Sequence, residues 1–262
     1  MRGYIDFEFD LPTALLIQLT QKLDQLEEAP LTIENLKAVP DVQGVYQLFL
    51  DKILVYIGKT DADAGLHKRL AIHARKIMHR KNLDPARVGF KAARIFVFTA
   101  MDLETELIRH YGGVKNIGWN GSGFGANDPG RERDTTRIKP KNYYAQFPID
   151  IDRTLELNIN RGETAADALL RLKNLLPYTI RYEGETDQGR KPHPDLRTSI
   201  LSDLKGPNSC RQIVKHIVSH LPPGWQATAL PGYIILYKES PKIYPQAEIV
   251  ARSGTTGQPS PH

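Results

Sequence analysis

Residues 44–58 read GVYQLFLDKILVYIG. Two runs rich in β-branched, aromatic and aliphatic residues flank Asp51-Lys52, a pattern that predicts a β-hairpin with a polar two-residue turn. Gly44-Val45-Tyr46 lies on the first strand and Tyr56-Ile57-Gly58 on the second, so the hairpin carries both tyrosines, ten residues apart. Taken alone, such tripeptides are ordinary strand sequence with glycines at the strand ends. The residues that follow decide what the hairpin is for.

After Gly58 the chain continues KTDADAGLHKRLAIHARKIMHRK. Leu66, Leu70, His73 and Ile77 recur at helical spacing and predict an amphipathic helix. Arg69 and His73 stand one turn apart at the edge of its apolar face, looking toward whatever the helix packs on. Between Lys59 and Arg94 there are ten Lys/Arg and three Asp, net +7, against +5 for the whole chain. Positive charge is therefore concentrated here, which favours a phosphate-backbone partner. Lys59, Lys68, Arg75, Lys76 and Arg80 are the candidate contacts, against the plainer reading of a solvated helix face.

Downstream, ARIFVFTA (93–100) reads as a strand and MDLETELIRHYG as a helix with Asp102 as its N-cap. Glu104 shares a face with Leu107, Ile108 and Tyr111, where an unpaired carboxylate is costly. Glu106 has Arg109 and His110 at +3 and +4, the setting of an exposed ion pair. Asn120 follows Trp119, with Asn116 as its rival. The loop GSGFGANDPGRERD (121–134) brings Asp128, Arg131, Arg133 and Asp134, residue types able to read base edges or simply to pair with one another.

These residues together resemble the GIY-YIG superfamily of nucleases, over about Asp41 to Arg137. The Gly-Phe-Gly and Asp-Pro-Gly run after Asn120 is similar to its type II restriction endonucleases. The resemblance implies an α+β fold, a small central mixed β-sheet flanked by helices. It implies a catalytic set of Tyr46, Tyr56, Arg69, His73, Glu104 and Asn120, with Glu104 holding one divalent metal, magnesium by preference. Tyr46 would act as general base, made acidic by His73 or Lys59, while Arg69 would neutralise phosphoryl charge and Tyr56 and Asn120 would position the reacting groups. DNA, duplex by preference, is the implied partner, with a homodimer on it. The alternatives are a repair, mobile-element or single-strand-specific nuclease of the superfamily, and an inactive DNA-binding protein of the same fold.

The remaining sequence frames this core. With 40% hydrophobic and 25% charged residues the chain has globular composition. Without a membrane-length apolar run or a secretory leader, a cytoplasmic location is expected. A single cysteine, Cys210, excludes an intrachain disulfide framework. Residues 1–40 are expected to form a helical extension with Leu15, Leu16, Leu19 and Leu23 on one side, and residues 41–146 the nuclease domain. Residues 147–244 are expected to form a separable accessory module of two strand-helix-strand units, similar in element order to the secretin and TonB short N-terminal domain. Residues 245–262, rich in Pro, Ser, Gly and Thr, are expected to be disordered.

Overall fold

In the computed structural model of the chain, Asp51 and Lys52 both take left-handed φ values, 51° and 65°. That is the two-residue type I′ geometry whose twist suits a hairpin. The structure describes residues 3–8, 10–61, 63–96, 102–125, 128, 130–186 and 191–254. Chain contacts divide it into two units, Met1–Met78 with Leu83–Gly125 and His79–Asn82 with Ala126–His262. Mixed α and β structure, with eight α-helices among the described residues, gives an α+β protein.

The first unit holds α1 (Leu11–Gln25), β1 (Ala29–Pro30), α2 (Ile33–Leu36), β2 (Gly44–Leu50), β3 (Ile53–Thr60), α3 (Leu66–Met78), β4 (Val88–Arg94) and α4 (Leu103–His110). Its sheet has the order β1-β4-β2-β3. The sheet expected to be mixed is antiparallel at every pairing. Strand β2 is buried along nearly its whole length because both faces are covered. Val45 and Ile57 cluster with Leu19 and Leu23 of α1 and Leu103 and Leu107 of α4, and α3 packs against β2 and β3. Leu15 and Leu16 join the first cluster, so the N-terminal helix is part of this core.

The strand expected at 93–100 lies earlier. Pairing runs antiparallel from Leu50↔Val88 to Gly44↔Arg94, so β4 ends opposite the first residue of its partner β2. Phe96 is exposed beyond it, and residues 97–100 lie outside the described residues.

The second unit comprises α5 (Tyr143–Gln146), β5 (Thr154–Leu155), α6 (Ala165–Leu175), β6 (Ile180–Tyr182), α7 (Pro194–Thr198), β7 (Asn208–Ser209), α8 (Cys210–Ser219), β8 (Gln226–Ala229), β9 (Ile234–Tyr237) and β10 (Glu248–Arg252). Thr164 and Ser209 cap α6 and α8, the latter through a capping box with Gln212. Both helices pack with Trp225, Ala227, Ile234 and Leu236 in one apolar core, and Cys210 is buried in it.

Three expectations need correction here. The division falls after Gly125 and takes in residues 79–82, not at Phe147; Arg80 bridges Ile149 and the Lys81 amide donates to the Pro148 carbonyl at 2.8 Å. A chain ending near Asp150 would therefore strand residues 126–150 from their own core. The second strand-helix-strand unit also does not repeat the first. Pro194 opens a short helix where a strand was expected, as proline does at a first helical position, and the turn at Pro231-Gly232 splits the last segment into the β8–β9 hairpin. Finally, β10 pairs with β8, and Val250 is buried. The Pro/Ser/Gly composition of the tail concealed its β-branched start; residues 255–262 lie outside the described residues. No helix among the described residues is long and apolar enough to cross a membrane.

Candidate active site

The hairpin register explains why each tyrosine needs its glycine. Tyr46 pairs with Gly58 across β2 and β3, and Leu48 with Tyr56, so both tyrosines project from one face. The Tyr46 ring then lies over Gly58. A Cβ at position 58 would come within 2.4 Å of the Tyr46 Cζ and hydroxyl oxygen. Gly44 is constrained in the same way, since a Cβ there would meet the Ala93 carbonyl at 2.3 Å.

Helix α3 brings its edge to this face. The Tyr46 hydroxyl and His73 Nε2 are hydrogen-bonded at 2.8 Å, and Arg69 Nε donates to the Tyr46 hydroxyl at 3.4 Å. Tyr46 is fully buried and His73 only 2% exposed. Burial, the nearby Tyr56 and Glu104 oppose ionisation of Tyr46 and push it above the usual phenol value, outweighing Arg69. Burial, with Arg69 and Lys76 nearby, holds His73 well below the usual imidazole value. At neutral pH the pair is therefore a neutral phenol against a neutral imidazole. His73 Nδ1 has no hydrogen-bond partner among the described residues.

Glu104 enters from α4 and is half-buried. Burial raises its carboxyl above the usual range, opposed by the Lys59 and Arg69 charges and by the Lys59 backbone N–H, and reinforced by Asp102. Glu104 also acts electrostatically on Tyr46 and Tyr56. Glu106 instead accepts from Arg109 Nη1 at 2.6 Å. Tyr46, Tyr56, Arg69, His73 and Glu104 thus come together from the hairpin, α3 and α4.

Asn120 does something other than was expected of it. Its Oδ1 accepts from the Ile57 amide at 2.8 Å and its Nδ2 donates to the Ile57 carbonyl at 2.9 Å. It closes the open edge of β3 between Tyr56 and Gly58, helped by the Trp119 amide on the Val55 carbonyl at 2.7 Å. Both polar ends of the side chain are held by backbone, so it fixes the strand bearing Tyr56 and does not reach toward phosphate or metal.

Phe124 is the residue that sequence reasoning passed over. It is fully buried, stacks on His73 at 4.7 Å and meets Tyr56 edge-on at 4.9 Å. The following Gly125 allows the close approach, because a Cβ there would stand 2.7 Å from the Tyr56 hydroxyl. The signal was present as Gly-Phe-Gly, read as a loop and as part of the family resemblance but without a role for Phe124 itself.

Most of the candidate DNA contacts are engaged within the protein. Lys59 pairs with Asp102 at 2.7 Å and Lys68 with Asp41 at 2.8 Å. This leaves His73, not Lys59, against the Tyr46 hydroxyl. Lys76 donates to the Phe124 carbonyl at 2.6 Å. Arg75 is exposed on α3, and Arg80, in the second unit, is buried. Arg131 pairs with Glu183 at 2.7 Å and lies over the Tyr237 ring. Asp134 is buried and accepts from Arg181 and Tyr233, while Arg131 keeps an exposed side chain. Arg133 is exposed.

Among the described residues no group of three or more His, Cys, Asp or Glu is placed to hold a metal ion. Glu104 is half-buried, with Asp102 and the Lys59 and Arg69 charges acting on it; a single carboxylate suits a hard dication that keeps most of its own waters and takes a phosphate oxygen. No protein-family model matches the chain, and no curated protein matches it.

Two outcomes test this geometry. Gly58→Ala should destabilise the first unit by about 1–3 kcal/mol through forced displacement of the Tyr46 ring, visible in urea unfolding and in the near-ultraviolet tyrosine signal; an unchanged signal would place the ring elsewhere. His73 is depressed in the fold, so its contribution is complete above the ordinary imidazole value and is lost as pH falls below it, where the unfolded chain takes up a proton that the buried ring refuses. His73→Gln should therefore make stability below about pH 6.5 less steeply pH-dependent, by roughly one proton. Parallel profiles for the two proteins would contradict this.

Proposed function

We propose that the chain is a metal-dependent DNA endonuclease of the GIY-YIG type, acting as a sequence-specific restriction enzyme on duplex DNA. What carries this reading is the Tyr46–His73–Arg69 hydrogen-bonded cluster with Glu104 and Tyr56 beside it. The residues come from three elements and make no sense as core filling, because a buried phenol, imidazole and guanidinium are costly unless paired.

The chemistry follows from the protonation states. A standing Tyr46 phenolate is disfavoured by burial, so Tyr46 serves as a relay. As water attacks phosphorus, its proton passes to the Tyr46 oxygen while the phenol proton passes to His73 Nε2. His73 stays neutral beforehand, and its lone pair is ready when Nδ1 carries the proton. The bond to the 3′ oxygen breaks, leaving a 5′-phosphate and a 3′ hydroxyl protonated from solvent. Arg69, permanently charged, faces the negative charge that develops on the phosphoryl oxygens. A magnesium ion held by Glu104 would supply further charge stabilisation at the phosphoryl and leaving oxygens. One such centre cuts one strand, so a homodimer would act on a palindromic duplex.

Glu104→Gln should abolish magnesium-dependent plasmid cleavage and leave DNA binding intact, with Glu106→Gln near wild type. Tyr46→Phe should slow cleavage by about a hundredfold or more without unfolding the protein. Full activity in either Glu104→Gln or Tyr46→Phe would remove that residue's role. Sedimentation of the cleaving complex should give two chains per site; one chain per site would count against the dimer.

A further inference from the structure

The basic stretch from Lys59 to Arg94 is less available than its composition implies. Lys59, Lys68, Lys81 and Arg87 are ion-paired with Asp102, Asp41, Asp152 and Asp51. Arg69 belongs to the candidate active site, and Lys76 and Lys91 donate to backbone carbonyls. Uncompensated charge has to be sought elsewhere.

It lies in the second unit, in the segment RERDTTRIKPKNYY (131–144). Arg133, Arg137, Lys139 and Lys141 are all exposed, and among the described residues none of them has an ion pair. The acids of the segment do not offset them. Asp134 is buried against Arg181, Tyr233 and Tyr237, which leaves only Glu132 at the surface. Directly after Lys141, the rings of Tyr143 and Tyr144 lie 5.6 and 4.9 Å from the Arg80 guanidinium. Arg80 is 5% exposed, and Nε, Nη1 and Nη2 have no hydrogen-bond partner among the described residues. A guanidinium cannot shed its charge. Buried with no carboxylate partner among the described residues, it carries its field outward through a medium that screens poorly.

We propose that the segment from Arg133 to Lys141, backed by Arg80, is the surface on which this chain docks the phosphate backbone of duplex DNA. The choice of DNA among polyanions rests on the nuclease reading. The surface itself rests on four exposed cations without an ion pair among the described residues, and on the unpaired Arg80 buried against Tyr143 and Tyr144, which follow them in the chain. Irregular backbone and point-like lysines suit phosphate contact, which positions a duplex without reading its sequence.

The test is binding of the full chain to a short random-sequence duplex carrying a fluorophore, followed by anisotropy across a salt series without magnesium. Replacing Arg133, Arg137, Lys139 and Lys141 together by alanine should weaken binding at least tenfold at moderate salt and lower the slope of log affinity against log salt by roughly three to four units. Arg80→Met should weaken binding several-fold while the free protein remains at least as stable, because an uncompensated buried charge is removed. Wild-type affinity and slope in the fourfold variant would overturn the inference, as would failure of the wild-type chain to bind the duplex at low salt. Cleavage is read separately with magnesium: a wild-type chain that binds through this surface but never cuts would sink the nuclease reading and leave the docking surface standing.

Discussion

Everything at the candidate active site depends on one steric constraint, the absence of a side chain at position 58. With no Cβ there, the Tyr46 ring lies across β3 and its hydroxyl reaches His73 Nε2 at 2.8 Å. Any larger residue would push the phenol off the strand. The hairpin turn, the pairing of Tyr46 with Gly58 and the amphipathic face of α3 all serve to place that hydroxyl. Asn120 then closes the edge of β3 from outside, and Phe124 caps His73. The outcome is a buried pair, a neutral phenol on a neutral imidazole, with the cation Arg69 beside it.

Electrostatics divides the molecule differently from composition. In the cation-rich middle of the chain Lys59, Lys68, Lys81 and Arg87 each meet an aspartate, and Lys76 and Lys91 each meet a backbone carbonyl. Ion pairs at exposed positions add little stability, but they do remove charge from the surface potential. Among the described residues, the exposed Arg133, Arg137, Lys139 and Lys141 have no ion pair. Sequence charge density alone does not say which cations stay unpaired, because ion pairing is a property of the folded arrangement and not of the residue count.

Much of the first unit was legible. The Asp51-Lys52 turn, the two strands, the buried stripe Leu66-Leu70-His73-Ile77 and the distinction between Glu104 and Glu106 all follow from short-range periodicity. What was not legible depended on long-range pairing. The end of β4 is set by the start of its antiparallel partner β2, which no local window can see. Asn120 reads as a candidate ligand until the Ile57 backbone is found holding both ends of its amide. Residues 79–82 leave the helix sequence that precedes them and join a different core, and β10 is hidden in a tail whose average composition suggests disorder. Arg80 looked like one more surface cation and is enclosed by tyrosines.

The central claim is that the Tyr46, His73, Arg69 and Glu104 cluster directs water at a phosphodiester. Its most direct measurement is incubation of the purified protein with plasmid DNA and magnesium in water enriched in heavy oxygen, with mass analysis of the cut ends. The account predicts magnesium-dependent cleavage leaving 3′ hydroxyls and 5′-phosphates that each carry one solvent-derived oxygen. Uncut plasmid under these conditions, or ends whose 5′-phosphates hold no solvent oxygen, would contradict it.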